Sequence, residues 1–274
     1  MWILIPLLII LVLFELYALA LQCRNGHSQW KELRHFRYAH RGYHDKPRIP
    51  ENSMAAFRRA LQNYYGAELD IHLMRDGNLA VIHDSSLRRT ADADVEIEDL
   101  TAADLENYRL EGTDEKIPLF SEVLELFEGK TPLVVELKTA RGNYNELTAA
   151  ACALLDKYQV SYCIESFDPR CLMWLKKNRP DIVRGQLSFG FAKKTNGDMS
   201  IFRRFMLRNM LFNFLTRPDF IAYRLQDRDN LSVKLCRGIY KVQEINWTIK
   251  TKEEMAEAER HGNLVIFEQF DPRG

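Results

Sequence analysis

The chain opens with an apolar stretch over residues 2–21 that is interrupted only by Glu15. Twenty residues in a helix reach about 30 Å, the thickness of a bilayer's hydrocarbon core. A cleaved signal peptide is the competing reading, because Ala18-Leu19-Ala20 resembles a small-x-small cleavage site. No Lys or Arg precedes the run, whereas signal peptides carry a positive leading segment. The pattern therefore favours one retained N-terminal transmembrane helix over residues 1–22. Arg24, Lys31, Arg34 and Arg37 follow it and make residues 23–37 a basic juxtamembrane linker. Positive flanks stay inside, so the expected topology is single-pass with the C-terminal domain in the cytoplasm.

From residue 38 the pattern changes. Short apolar runs rich in β-branched residues alternate with longer amphipathic stretches. The short runs predict strands over 38–40, 67–72, 79–83, 133–137, 162–165, 182–187, 220–223, 242–247 and 264–267. The amphipathic stretches predict helices over 53–64, 121–127, 145–158, 169–178, 230–237 and 252–261. Repeated strand–helix units imply an α/β fold with a mostly parallel sheet and helices outside. At this length that is a TIM (β/α)8 barrel over residues 38–274. Nine candidate strands exceed the eight a barrel takes, so one is expected to be a hairpin arm.

Composition narrows the class. Apolar residues make up 46 % and charged residues 28 %, which excludes a disordered chain. Lys plus Arg and Asp plus Glu both number 38, so no basic excess points to nucleic acid. The five cysteines are scattered, with no C-x-x-C pair, and predict neither disulfides nor a zinc site. Residues 199–218 contain no acid and place Arg203, Arg204, Arg208 and Arg217 among large apolar side chains. That segment reads either as a barrel helix or as an interfacial helix lying on anionic lipid.

The chemistry lies where charge interrupts strands that should be apolar. Parallel barrel strands are normally Val/Ile/Leu runs, and charges at their C-terminal ends read as active-site residues. Glu68 and Asp70 are two apart on one strand and share a face. Like charges this close are costly without a cation between them. Asp76-Gly77 is a turn signal, and folding back there sets position 70 opposite His83. Glu136 and Lys138 share a face of the run 133–138. They read as a surface pair, or as a metal ligand beside a phosphate-binding lysine. Three carboxylates, Glu68, Asp70 and Glu136, suit a hard cation such as Mg2+ or Ca2+, with Mn2+ as a third option. His40 ends the first predicted strand, Arg41 has the fork for a phosphate, and Gly42 permits a turn or a close ligand approach. In Pro50-Glu51-Asn52-Ser53, Asn52 or Ser53 can cap the following helix.

These pieces stand in one order: His40-Arg41-Gly42, Pro50-Glu51-Asn52-Ser53, Glu68-Leu69-Asp70, Asp76-Gly77, His83-Asp84, Val135-Glu136-Leu137-Lys138, Glu165-Ser166-Phe167 and Trp247-Thr248. The set closely resembles the glycerophosphodiester phosphodiesterase family, from about residue 38 to about residue 250. The resemblance implies a distorted TIM barrel of the phospholipase C-like phosphodiesterase type. It implies metal-dependent hydrolysis of glycerophosphodiesters to glycerol 3-phosphate and an alcohol. By the same resemblance, His40 and His83 are the acid–base pair, and Glu68, Asp70 and Glu136 hold one divalent cation. Arg41 and Lys138 contact phosphate, Glu51 shapes the site or touches substrate, and Trp247 walls the glycerol. Two positions depart from the family pattern. Lys250 stands where an asparagine is usual, and Phe267-Glu268-Gln269-Phe270-Asp271 replaces the usual Thr-Asp-Tyr-Pro. Together with the apolar N-terminus, these departures leave two other activities open. One is a lysophospholipase D or glycerophosphate-polymer hydrolase at the membrane. The other is a catalytically silent lipid-binding module.

Overall fold

A computed structural model describes residues 4–191 and 199–273. Nine strands form one sheet: β1 (Tyr38–Ala39), β2 (Gly66–Leu73), β3 (Leu79–Val81), β4 (Leu133–Leu137), β5 (Tyr162–Ser166), β6 (Arg184–Ser188), β7 (Phe220–Arg224), β8 (Gln243–Ile249) and β9 (Leu264–Phe267). Their order is β1-β9-β8-β7-β6-β5-β4-β2-β3, and a further β1–β2 pairing closes the ring. All pairs are parallel except β2–β3, so eight strands make the barrel and β3 is the surplus hairpin arm. The helices Met54–Gln62, Phe120–Phe127, Tyr144–Leu155, Pro169–Asn178, Leu231–Tyr240 and Lys252–Arg260 match the amphipathic stretches to within three residues. Each lays an apolar stripe on the outside of the barrel.

The lumen is filled rather than open. Tyr38, Val134, Cys163, Phe220, Ile245 and Ile266 belong to one buried cluster. Gly185 makes room for Phe220, because a Cβ there would lie 2.1 Å from the Phe220 ring. The segment after the apolar N-terminus packs on the barrel as well. Leu33 is fully buried in the lumen cluster, and its carbonyl accepts from the Tyr38 hydroxyl at 2.7 Å. Trp30 meets the Phe220 ring edge-on at 5.4 Å. Leu21 and Cys23 are buried against Tyr223 and Cys236, and Arg24 pairs with Asp219 at 2.5 Å.

Three expectations need correction. The apolar helix runs Leu4–Ala20, 17 residues, and residues 1–3 of the expected span lie outside the described residues. Among the described residues, no helix is long and apolar enough to cross a membrane. Residues 199–218 form two helices instead of one, Ile201–Arg208 and Asn213–Thr216. The break coincides with Met210 in the left-handed region at φ 52°. The β2–β3 hairpin pairs Ile71 with Val81, so Ile82 stands across from Asp70 where His83 was expected. The register differs by one residue, and β3 ends at Val81, before the histidine.

A second apolar cluster was not predicted. Ile82, Leu87, Ile97, Leu105 and Leu110, from the excursion between β3 and the helix Phe120–Phe127, bury one another together with Met74 of the β2–β3 turn. Its short 3-10 turns carry no sustained periodicity that a sequence reading could detect.

Candidate active site

The strand ends bring the ionisable residues together. β2 and β4 run parallel with Asp70 beside Glu136, and Glu136 is in turn beside Glu165 of β5. Glu68, Asp70 and Glu136 are buried, and each offers a carboxylate oxygen within 4.8 Å of the others'. His40, Arg41, His83, Lys138, Glu165 and Trp247 are among the side chains that line the cavity of about 290 Å³ around them.

Each carboxylate is held differently. Glu68 Oε2 accepts the Arg41 backbone N–H at 2.9 Å. Burial pushes Glu68 up, and the neighbouring Asp70 and Glu136 charges push the same way. Burial also raises Asp70, but Lys138, His83 and Arg41 outweigh it and hold Asp70 below the ordinary carboxylate range. Lys138 Nζ lies 3.0 Å from Asp70 and 2.7 Å from Glu136. Asn52 Nδ2 donates to Asp70 Oδ2 at 2.9 Å. Ser53, not Asn52, is the helix cap and accepts from the Ala56 N–H at 3.1 Å. The choice left open in the sequence thus resolves by function, with one residue capping and the other steering a carboxylate.

The donor set fits a divalent cation. Three buried oxygen donors converge, and burial, with repulsion from the neighbouring acids added to it, raises Glu68 well above its ordinary value, as expected where a positive ion belongs between them. One buried oxygen of Glu165 in the same cavity has no hydrogen-bond partner.

Arg41 and Gly42 both have positive φ, at 53° and 75°. A Cβ on Gly42 would come within 2.8 Å of the Ala56 Cβ, so this glycine serves the turn and its packing on the helix Met54–Gln62. Glu51 lies one shell out. Its Oε1 accepts from Arg41 at 2.7 Å and Arg89 at 2.6 Å, and Lys46 meets Oε2 at 2.5 Å. Burial raises Glu51, but the pairs with Arg89, Arg41 and Lys46 win and keep it far below the usual range. With both oxygens engaged, Glu51 anchors the Arg41 fork.

Both histidines face the cavity, and each has a carboxylate on its far nitrogen. His83 Nδ1 is 2.6 Å from Asp84, which Arg89 also holds. His40 Nδ1 is 2.6 Å from Glu268, and His40 Nε2 lies 3.9 Å from Glu68. Burial lowers the pKa of His40 below that of an ordinary imidazole, and the Glu268 hydrogen bond partly opposes that. Neither Glu268 nor the Asp84 partnership was found by sequence reasoning. Asp84 was visible only as the second residue of the His83-Asp84 motif, and Glu268 is separated by 228 residues from the histidine it meets. Trp247 sits at the apolar wall, packed edge-on against Phe167 at 5.8 Å and Phe189 at 6.2 Å. Phe167 was visible as part of the Glu165-Ser166-Phe167 motif, whereas Phe189 carried no signal beyond its hydrophobicity.

This constellation has counterparts. The profile described as the glycerophosphoryl diester phosphodiesterase family matches residues 40–267. A glycerophosphodiester phosphodiesterase of Caldanaerobacter subterraneus is 33 % identical over 159 residues, 54 % of this chain and 65 % of that protein. A lysophospholipase D of Rattus norvegicus is 34 % identical over 122 residues, 40 % of this chain and 38 % of that one. The match thus spans less than two thirds of the length of these curated relatives. A phosphodiesterase of Oleispira antarctica, solved with sn-glycerol-3-phosphate, superimposes with a TM-score of 0.68 at 23 % identity, over 85 % of this chain and 92 % of the other. The profile covers the barrel from its first histidine to its last strand, and on that ground the chain belongs to the glycerophosphodiester phosphodiesterase family.

Proposed function

We propose that the protein hydrolyses glycerophosphodiesters to glycerol 3-phosphate and an alcohol. One observation carries the reading: three buried carboxylates converge within 4.8 Å, bordered by two fixed cationic side chains and two histidines. Arg41, aligned by Glu51, and Lys138 grip the phosphate oxygens and offset charge that builds on phosphorus. Glu68, Asp70 and Glu136 would hold Mg2+, Ca2+ or Mn2+, which supplies Lewis-acid polarisation of a phosphoryl oxygen when bound. One histidine accepts the proton of the attacking hydroxyl, either water's or that of the substrate's own glycerol; in the second case water then opens the cyclic phosphate to glycerol 3-phosphate. The other protonates the departing alkoxide as its bond to phosphorus breaks. Trp247 presents an aromatic wall to the apolar side of the glycerol.

His40→Ala and His83→Ala are each expected to lower turnover of glycerophosphocholine by about 100-fold or more with folding intact. Excess EDTA should abolish the rate of the wild-type protein. Near-normal turnover in either variant removes that histidine's acid–base role, and near-normal turnover in EDTA removes the metal; no turnover by the wild-type protein with Mg2+, Ca2+ or Mn2+ leaves the silent lipid-binding module.

A second reading, lysophospholipase D activity, is favoured by the aromatic wall. Phe167, Phe189, Phe191 and Trp247 form one cluster beside the cavity, and Phe189 stacks on Phe191 at 4.0 Å. Such a wall suits the acyl chain that a lysophospholipid carries on its glycerol. Faster release of choline from lysophosphatidylcholine than from glycerophosphocholine would select it. Membrane association is part of the proposal: the helix Leu4–Ala20 exposes its leucines and isoleucines, and Ile201, Phe202 and Phe205 are exposed beside arginines. The basic residues 24–37 that follow the helix are in part engaged by the barrel itself, Arg24 with Asp219 and Arg37 with Glu259.

A further inference from the structure

The two positions at which the chain departs from its family's pattern meet each other in space. Lys250 follows β8, and Glu268 follows β9. The Lys250 Nζ lies 2.9 Å from Glu268 Oε1. The other oxygen, Oε2, is 2.6 Å from His40 Nδ1 and 3.7 Å from His44 Nε2. The segment that follows β9 thus delivers a carboxylate to the back of the histidine that ends β1. An ionised carboxylate has no proton to give, so His40 Nδ1–H donates. That hydrogen bond fixes one tautomer and one ring plane, and it turns the Nε2 lone pair toward the cavity, 3.9 Å from Glu68. Lys250 occupies the outer oxygen and keeps the inner one on the imidazole. The Glu268 side chain is only 11 % exposed, so water competes little for it.

We propose that Glu268 is the positioning residue for His40, and that Lys250 secures Glu268 in that role. The inference rests on the reading of His40 as an acid–base residue. A histidine aimed by a carboxylate transfers protons in one orientation, and one released from it samples orientations and tautomers that cannot.

Steady-state kinetics of the full chain on glycerophosphocholine with Mg2+ test the idea. Glu268→Gln should lower kcat by between about 10-fold and the full loss of His40→Ala, with KM within about twofold, since proton transfer contributes roughly 10²–10⁴. Glu268→Asp should recover part of that loss. In a His40→Ala background, Glu268→Gln should cost nothing further, because the residue it acts through is gone. Lys250→Met, at a half-exposed site that no fold contact depends on, should lower kcat a few-fold without raising KM. Normal kcat in Glu268→Gln, or a full additional loss in the His40→Ala background, overturns the assignment. If Glu268→Gln does not fold, Lys250→Met decides: unchanged kcat rejects the arrangement and a selective kcat loss supports it. Wild-type turnover in His40→Ala would instead defeat the acid–base reading itself, so the two failures are distinguishable.

Discussion

At the scale of single residues, the site contrasts two carboxylates of opposite behaviour. Glu51 is buried but overcompensated by three cationic partners. Glu68 is buried beside two further acids and is raised. A group whose folded value is raised contributes stability that is fully present below its unfolded value, about 4.3, and is lost as pH rises through the folded one. Without cation, Glu68 therefore weakens the fold at neutral pH. Glu68→Gln removes that cost, so the variant's metal-free Tm should exceed the wild type's by an amount that grows from pH 4 to pH 8. For a chain of this size each 1 kcal/mol appears as about 2–4 °C. Adding Mg2+ or Ca2+ should raise the wild-type Tm and leave the variant's nearly unmoved. An equal metal-induced rise in both, measured by differential scanning fluorimetry, would remove Glu68 from the cation site. Much of this was legible in the chain. Glu68 and Asp70 announce themselves as charges two apart in a strand, and so do Glu136 and Lys138. Glu268 and Asn52 do not, because a residue whose partner lies 228 or 18 positions away along the chain leaves no local pattern.

At the scale of elements, periodicity located all nine strands, since buried parallel strands are dense in β-branched residues and bounded by amphipathic helices. It could not set register. The Asp76-Gly77 turn was placed correctly, yet the pairing Ile71 with Val81 moves every partner by one. Asp70 therefore meets Ile82 by backbone, where the Ile82 N–H donates to the Asp70 carbonyl at 3.0 Å. His83 reaches the cavity because the chain has already left the strand. Packing inside the barrel was also invisible. Gly185 looks unremarkable in sequence, but it alone admits the Phe220 ring to the lumen. Gly185→Ala forces a methyl onto rigid aromatic atoms of a fully buried residue and should destabilise by about 1–3 kcal/mol or more. Urea denaturation followed by circular dichroism reads that directly, and a midpoint equal to wild type would show that the lumen can yield.

At the scale of the whole molecule, the apolar N-terminus and the barrel differ in how much each needs the other. The helix Leu4–Ala20 buries no residue. Its attachments are at its C-terminal end, where the Tyr17 hydroxyl meets Ser232 at 2.7 Å and the Ala18 carbonyl accepts from Tyr240 at 2.7 Å. The next residues are a different matter. Leu21 is fully buried, Arg24 donates to Asp219 and to the Pro180 carbonyl, and Leu33 sits in the lumen cluster. Removing residues 1–20 should therefore leave a folded barrel whose turnover of a water-soluble glycerophosphodiester is within about twofold of the full chain. Removing residues 1–35 takes away two fully buried leucines, each worth about 2–5 kcal/mol in truncation to Ala, together with the Arg24 pair. That shorter chain should unfold at markedly lower temperature or not fold. The first truncation also separates lipid attachment from catalysis. Flotation with anionic vesicles should be lost or weakened relative to the full chain, and any residual binding is then assigned to Ile201, Phe202 and Phe205 by substituting them with Ser. Equal stability of the two truncations would mean that residues 21–35 only decorate the barrel. Undiminished flotation after both the deletion and the substitutions would take the membrane out of the proposal.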